Sequence, residues 1–343
     1  MQRRGFRLLV LAAVAIAGLA VFIASRGDRD VSHAPAGRRA LPALADRLGD
    51  LAWLRLTRGA MTANFSLINK QWTVVEKGNY PADQERVRKL LVQLAECELI
   101  EAKTDKPELL ARLDLDDPAN GKSTLVTAQD RTGGLVAQLI VGAKRPSEIG
   151  GGDAGVYVRK PGSDQAWLAR GSFDLAGDAL SWLDRRIIDI RPARIASVVL
   201  TTADGKTVTV ARGSADLPLA IDTPPENVQP KDDAALAAPA GALESLTLDD
   251  VRPAAEHPIA EDGAATAAFT TFDGLIVGLR LSPNADPSGA GNWVAIDVTG
   301  SGKAEAEGKA LSAKLSRWSF AISAERAKLL RTTLTDLLQP HGS

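Results

Sequence analysis

From residue 49 onward, short apolar runs with two-residue alternation are cut by turn strings, and the same order of strand, helix and hairpin signals occurs twice. Residues 52–56, 64–68 and 71–75 read as three strands in succession. Asp83 then caps a helix over 84–97, whose Val87, Leu90, Leu91 and Leu94 share one face. Hairpins follow at 124–128 with 135–141, around Asp130-Arg131-Thr132-Gly133-Gly134, and at 155–159 with 165–169, around Pro161-Gly162-Ser163-Asp164. A short helix at 179–186 leads into a strand at 187–190. The order then restarts, with a hairpin of 195–201 and 207–211 and a helix over 232–246 despite Pro239. A hairpin of 268–272 and 275–281 and strands at 293–298 and 317–322 come next. A closing helix at 323–338 carries the stripe Leu330, Leu334, Leu337 and Leu338, and Pro340 stops it. The pattern predicts an α+β fold of antiparallel sheets covered by helices. It also predicts two related halves, 49–190 and 191–343, offset by roughly 145 residues, a period too long for a solenoid.

Ahead of this region, Arg3, Arg4 and Arg7 precede the uncharged run 8–24. At about 1.5 Å per residue the run covers about 25 Å, the low end of a spanning helix. A cleaved signal would have an apolar core of only about 7–15 residues followed by small residues, and Phe22-Ile23-Ala24-Ser25 is a poor cleavage site. An uncleaved transmembrane helix over 1–24 is therefore expected, in contact with lipid through residues 8–24. The basic flank keeps the N-terminus cytoplasmic, so the bulk of the chain is expected to be periplasmic and held at the inner membrane by one span. Residues 25–48, mixed in charge and rich in Gly and Pro, read as a tether.

Composition limits the chemistry. Taking the three N-terminal arginines from 41 basic residues leaves 38 against 42 acidic ones, a charge of −4, and no basic block follows. Nucleic acid is not an expected partner. Cys97 is the single cysteine, so no internal disulfide forms, and its apolar surroundings mark it as a small core residue. His33, His257 and His341 are too scattered for a metal site, and His257 reads as a surface loop residue. Gly121-Lys122-Ser123 and Gly205-Lys206-Thr207 end like phosphate loops, but Asp116 and Leu200 stand where the first glycine is required. Both are turns leading into strands, and Gly150-Gly151-Gly152 is a loop tip with no helix after it. The acidic group Asp114, Asp116 and Asp117 fails as a calcium loop, because that register puts Pro118 third and Thr127 twelfth. A solvated turn is its default reading, with carboxylate-based hydrolysis as the rival. No Gly-x-Ser-x-Gly elbow occurs. Trp53, Trp72, Trp167, Trp182, Trp293 and Trp318 are either a sugar groove or, by default, core.

Several landmarks together resemble the uncharacterised family called domain of unknown function 4340. They are Leu115-Asp116-Asp117-Pro118-Ala119, Leu139-Ile140-Val141-Gly142, Gly155-Val156-Tyr157-Val158-Arg159 and Ala166-Trp167-Leu168. Trp53-Leu54-Arg55-Leu56, Trp72 and the helix near Gln84 are also similar, so the likeness spans about residues 50–250 and continues more weakly beyond. The departure is Asp114, which stands where the family pattern leads one to expect glycine. The resemblance implies a membrane-anchored bacterial protein of a kind commonly encoded beside ATP-driven transporter subunits linked to gliding motility. It carries over no catalytic residue, cofactor or metal ligand.

The expectation is a non-enzymatic, extracytoplasmic accessory subunit of an ABC-type transport complex, with permease and ATPase chains as partners. The alternative is a binding module for an envelope glycan or lipid-linked substrate.

Overall fold

Leu54 and Leu56 are buried while Trp53 and Arg55, on the same strand, are exposed, the alternation of an antiparallel strand covered on one face. This strand is central to the first of two sheets. The computed structural model describes residues 37–119, 121–146, 155–175, 177–226, 228–283 and 292–339. The apolar run 8–24, the tether up to residue 36, His33, the glycines at 150–152, Pro340 and His341 lie outside them. The chain divides after Leu183 into two compact units.

The first unit contains β1 (Leu51–Arg58), β2 (Met61–Ile68), β3 (Gln71–Val74), β4 (Tyr80–Pro81), β5 (Glu98–Ala102), β6 (Thr124–Asp130), β7 (Leu135–Arg145), β8 (Gly155–Arg159) and β9 (Trp167–Arg170). They form one sheet in the order β4-β3-β2-β1-β6-β7-β8-β9-β5. Helices α1 (Pro42–Asp46) and α2 (Gln84–Ala95) pack on each other, and α2 also packs on β3. The Asp83 side chain caps α2 by accepting from the Arg86 N–H. On the opposite face, α3 (Pro107–Leu110) and the turn after it bury Leu110 and Leu115 against Ile140 and Ala166. That cover stops short of Trp53 and Leu135, which are 45% and 46% exposed.

The later part of the segment 25–48, expected to be a tether, is instead folded: besides forming α1, it is tied to the β5 edge. Gly37 N–H donates to Leu99 O at 2.7 Å, Leu99 N–H to Arg38 O at 2.9 Å and Ala40 N–H to Cys97 O at 2.7 Å. An edge that would otherwise offer unpaired amides is thereby closed.

The second unit contains β10 (Arg186–Ile188), β11 (Ile195–Thr201), β12 (Thr207–Ala211), β13 (Ala220–Ile221), β14 (Leu246–Thr247), β15 (Asp250–Pro253), β16 (Ala265–Thr271), β17 (Leu275–Leu281), β18 (Asn292–Gly300) and β19 (Trp318–Ile322). Strands β10 and β14 pair separately, and the others run β13-β12-β11-β16-β17-β18-β19-β15. Its helices are α4 (Asp233–Ala237), α5 (Glu305–Leu315), α6 (Ala324–Leu330) and α7 (Leu334–Leu337). Among the described residues, no helix is long and apolar enough to cross a membrane.

The α+β class with antiparallel sheets is therefore the observed one, but several helices differ from expectation. The helix expected over 232–246 is α4 followed by a 3-10 turn, Ala238–Leu243, because Pro239 cannot donate to the preceding helical turn. The closing helix is broken into α6 and α7. Thr332 Oγ1 turns back to Leu329 O, and Thr333 with Asp336 makes a capping box that starts the new helix. Leu330 and Leu337 are buried, whereas Leu334 and Leu338 are half-buried. The helix expected at 179–186 is only the 3-10 turn Ala179–Trp182. Helix α5 had no apolar stripe to announce it, since its buried residues are Gly308 and Leu315. Gly308 lies so close to β18 that a Cβ there would meet Gly300 N at 2.5 Å.

Candidate functional site

The acidic string that stood out in the sequence lies on the turn between α3 and β6. Asp114 takes the left-handed conformation, φ 51° and ψ 40°, which glycine adopts without a side-chain penalty. The glycine expected there from the family pattern thus has a backbone reason, which the aspartate meets as one of the few tolerated alternatives. Leu115 is buried, with its N–H bonded to Leu110 O at 2.9 Å. Its carbonyl accepts from Arg159 Nε at 2.6 Å, and Ser123 Oγ donates to Asp116 O at 2.8 Å. Burial holds the Arg159 guanidinium below its ordinary pKa.

The three carboxylates do different things. Asp117 Oδ1 accepts from the Ala119 N–H at 2.9 Å, making the local turn. Asp116 Oδ1 is buried without a hydrogen-bond partner and lies over Gly121, where a Cβ would come within 2.1 Å of it. Asp114 instead faces a cleft of about 180 Å³ whose wall also includes Arg58, Lys122, Thr124, Lys144 and Asp174. Gly142 forms part of that wall, and a Cβ there would be 2.3 Å from Leu113 O. The backbone before Asp114 therefore rests directly on β7. Among the described residues, no group of three His, Cys, Asp or Glu side chains is arranged to hold a metal ion.

The pattern of the family described as "Domain of unknown function (DUF4340)" matches residues 72–263, more than half of the chain. The chain belongs to the DUF4340 family. No curated protein and no solved structure matches it. The matched stretch contains α2, the Asp114 turn and the cleft beside it, apart from Arg58 on β1.

The remaining residues singled out from the sequence of this DUF4340 chain are placed as follows. Cys97 is fully buried just before β5, and burial pushes its thiol up to about 12. His257 is half-buried, with its ring 4.4 Å from that of Trp293 and its carbonyl accepting from Ser319 Oγ. Gly121-Lys122-Ser123 leads into β6 and Gly205-Lys206-Thr207 into β12, so neither loop aims a helix at a phosphate. Trp72, Trp167, Trp182, Trp293 and Trp318 are buried, while Trp53 lies open on the outer sheet face.

Trp53 stands between Ser66 on β2 and Gln129 on β6, and Leu135 stands across from Gln129. In the next row Arg55 Nε donates to Asn64 Oδ1 at 2.6 Å, and Asn64 Nδ2 donates to Glu76 Oε1 at 2.6 Å. Sequence reasoning missed this face. Its signal was the alternation in Trp53-Leu54-Arg55-Leu56, which puts the tryptophan opposite the leucines.

Proposed function

We propose that this protein is a non-enzymatic accessory subunit of an ABC-type transport complex, anchored in the bacterial inner membrane by residues 8–24 with its bulk in the periplasm. Its partners on this reading are the permease and ATPase chains. The observation that carries the reading is the uncovered outer sheet face of the first unit, where Trp53 and Leu135 flank Gln129. Large exposed apolar side chains set among polar neighbours are the composition of a protein-docking face. The pairing of residues 37–40 with β5 supports an anchored chain, because it fastens the segment that follows the apolar run to the sheet. The test is gentle detergent extraction of the W53A/L135S variant. Loss of co-extracted permease with an unchanged melting temperature supports the reading; wild-type co-extraction contradicts it.

The two units further support the expected duplication. Strands β3-β2-β1-β6-β7-β8-β9-β5 and β13-β12-β11-β16-β17-β18-β19-β15 follow the same order. A bulge interrupts β1–β6 between Leu51 and Trp53, and another interrupts β11–β16 between Ile195 and Ser197. In each unit an arginine ahead of the central strand binds an aspartate at the next hairpin, Arg47 with Asp130 at 2.8 Å and Arg194 with Asp273 at 2.7 Å. Aligning the two halves across homologues should place Leu51 on Ile195; a better alignment in another register would count against duplication.

A second reading, glycan binding, is favoured by the same Trp53 face. An indole beside fixed Arg55, Asn64 and Glu76 groups suits the apolar face and hydroxyls of a pyranose. Saturable quenching of tryptophan fluorescence by neutral oligosaccharide, absent in Trp53→Ala, would favour it over docking.

A further inference from the structure

The cleft beside Asp114 carries more positive charge than the fold uses. Arg58 comes from the end of β1, Lys122 from the turn before β6 and Lys144 from β7, and all three residues line it. Of the two carboxylates in its wall, Asp174 is engaged by Arg86 Nε at 3.0 Å. Asp114 faces Lys122 at 4.0 Å. Arg58 and Lys144 have no carboxylate partner among the described residues. Setting Asp114 against the three cations leaves two positive charges facing one small space.

The cleft also offers a neutral donor and a limited volume. Thr124 lines the cleft, and its hydroxyl makes no hydrogen bond to another described residue, which leaves it free to donate to a bound group. The volume, about 180 Å³, is well below the roughly 300–1,000 Å³ of sites for drug-sized ligands. It suits a single charged group and the first atoms attached to it.

We propose that this cleft binds a phosphate group, with Arg58, Lys122 and Lys144 as its cations and the Thr124 hydroxyl as a neutral donor. A phosphate monoester carries about −1.5 to −2 at pH 7, which matches the two uncompensated positive charges. Arg58 supplies a planar fork for two oxygens, and the lysines act as point charges. The site is a recognition site, with no bond made or broken, and it stands apart from the Trp53 face and the docking reading.

The test uses the full chain in detergent, titrated with inorganic phosphate and, in parallel, with dihexanoyl phosphatidic acid, and followed by phosphorus NMR line broadening. Saturable binding is expected, weakened roughly tenfold or more in R58Q/K144Q, whose two changes fall on exposed side chains. Thr124→Val should weaken binding less while leaving its salt dependence unchanged. Tighter binding of the lipid assigns the group to a headgroup, and equal binding assigns it to a free phosphate; both support the proposal. No saturable binding of either probe overturns it, as does wild-type affinity in R58Q/K144Q.

Discussion

Asp114 carries the conformational cost of the turn that shapes the cleft. A β-branched residue in its left-handed conformation should be strained, so Asp114→Val is expected to lose about 1–2 kcal/mol in chemical denaturation. Asp114→Gly should keep full stability or exceed it, and equal losses in both variants would contradict the backbone argument. Asp273 is held down to about 2 by its bonds from Arg194 and then Thr271, and Asp130 to about 2 by its bonds from Thr132 and then Arg47. Both folded-state values lie below the ordinary carboxylate value. The stability they contribute is therefore complete above about pH 4 and is lost as pH falls toward about 2. Asp273→Asn should flatten that acid limb of the melting-temperature profile, and an unchanged limb would remove the ion pair from the account.

Among the elements, the pairing of residues 37–40 with β5 decides how firmly the tether joins the sheet. Ala40→Pro removes the N–H that bonds Cys97 O, which should free the strip that holds Arg38 and Arg39. Trypsin is then expected to cut after these arginines faster than in the wild type; equal rates would mean that the pairing contributes nothing. Most strands were legible in the sequence because alternation and turn chemistry are local. Asp130 through Gly134 and Asp273-Gly274 define their hairpins from residues a few positions apart. Strands β5 and β15 were not legible, since Glu98–Ala102 and Asp250–Pro253 are edge strands with little alternation and find their partners far along the chain. Helix α5 was missed because it packs through Gly308, which no apolar period records. The cleft was half legible. Asp114 and Lys122 are near in sequence, but Arg58 and Lys144 join them only through the pairing of β1, β6 and β7.

Over the whole molecule, two sheets with one strand order each leave an apolar side chain at the matching row. Leu135 lies across from Gln129 and Ile276 across from Thr270, and they are 46% and 44% exposed. Neither belongs to a buried core, so a docking role predicts that a partner covers them in the cell. With a formal charge of only −4 beyond the three N-terminal arginines, such docking gains little from long-range attraction and depends on contact. The most direct measurement places a photoreactive amino acid at position 53 of the full chain and identifies the adducts formed in intact cells by mass spectrometry. The account predicts adducts with permease chains of an ABC transporter, lost when Leu135→Ser is added. Adducts with saccharide or lipid alone, or none with any protein, would contradict it.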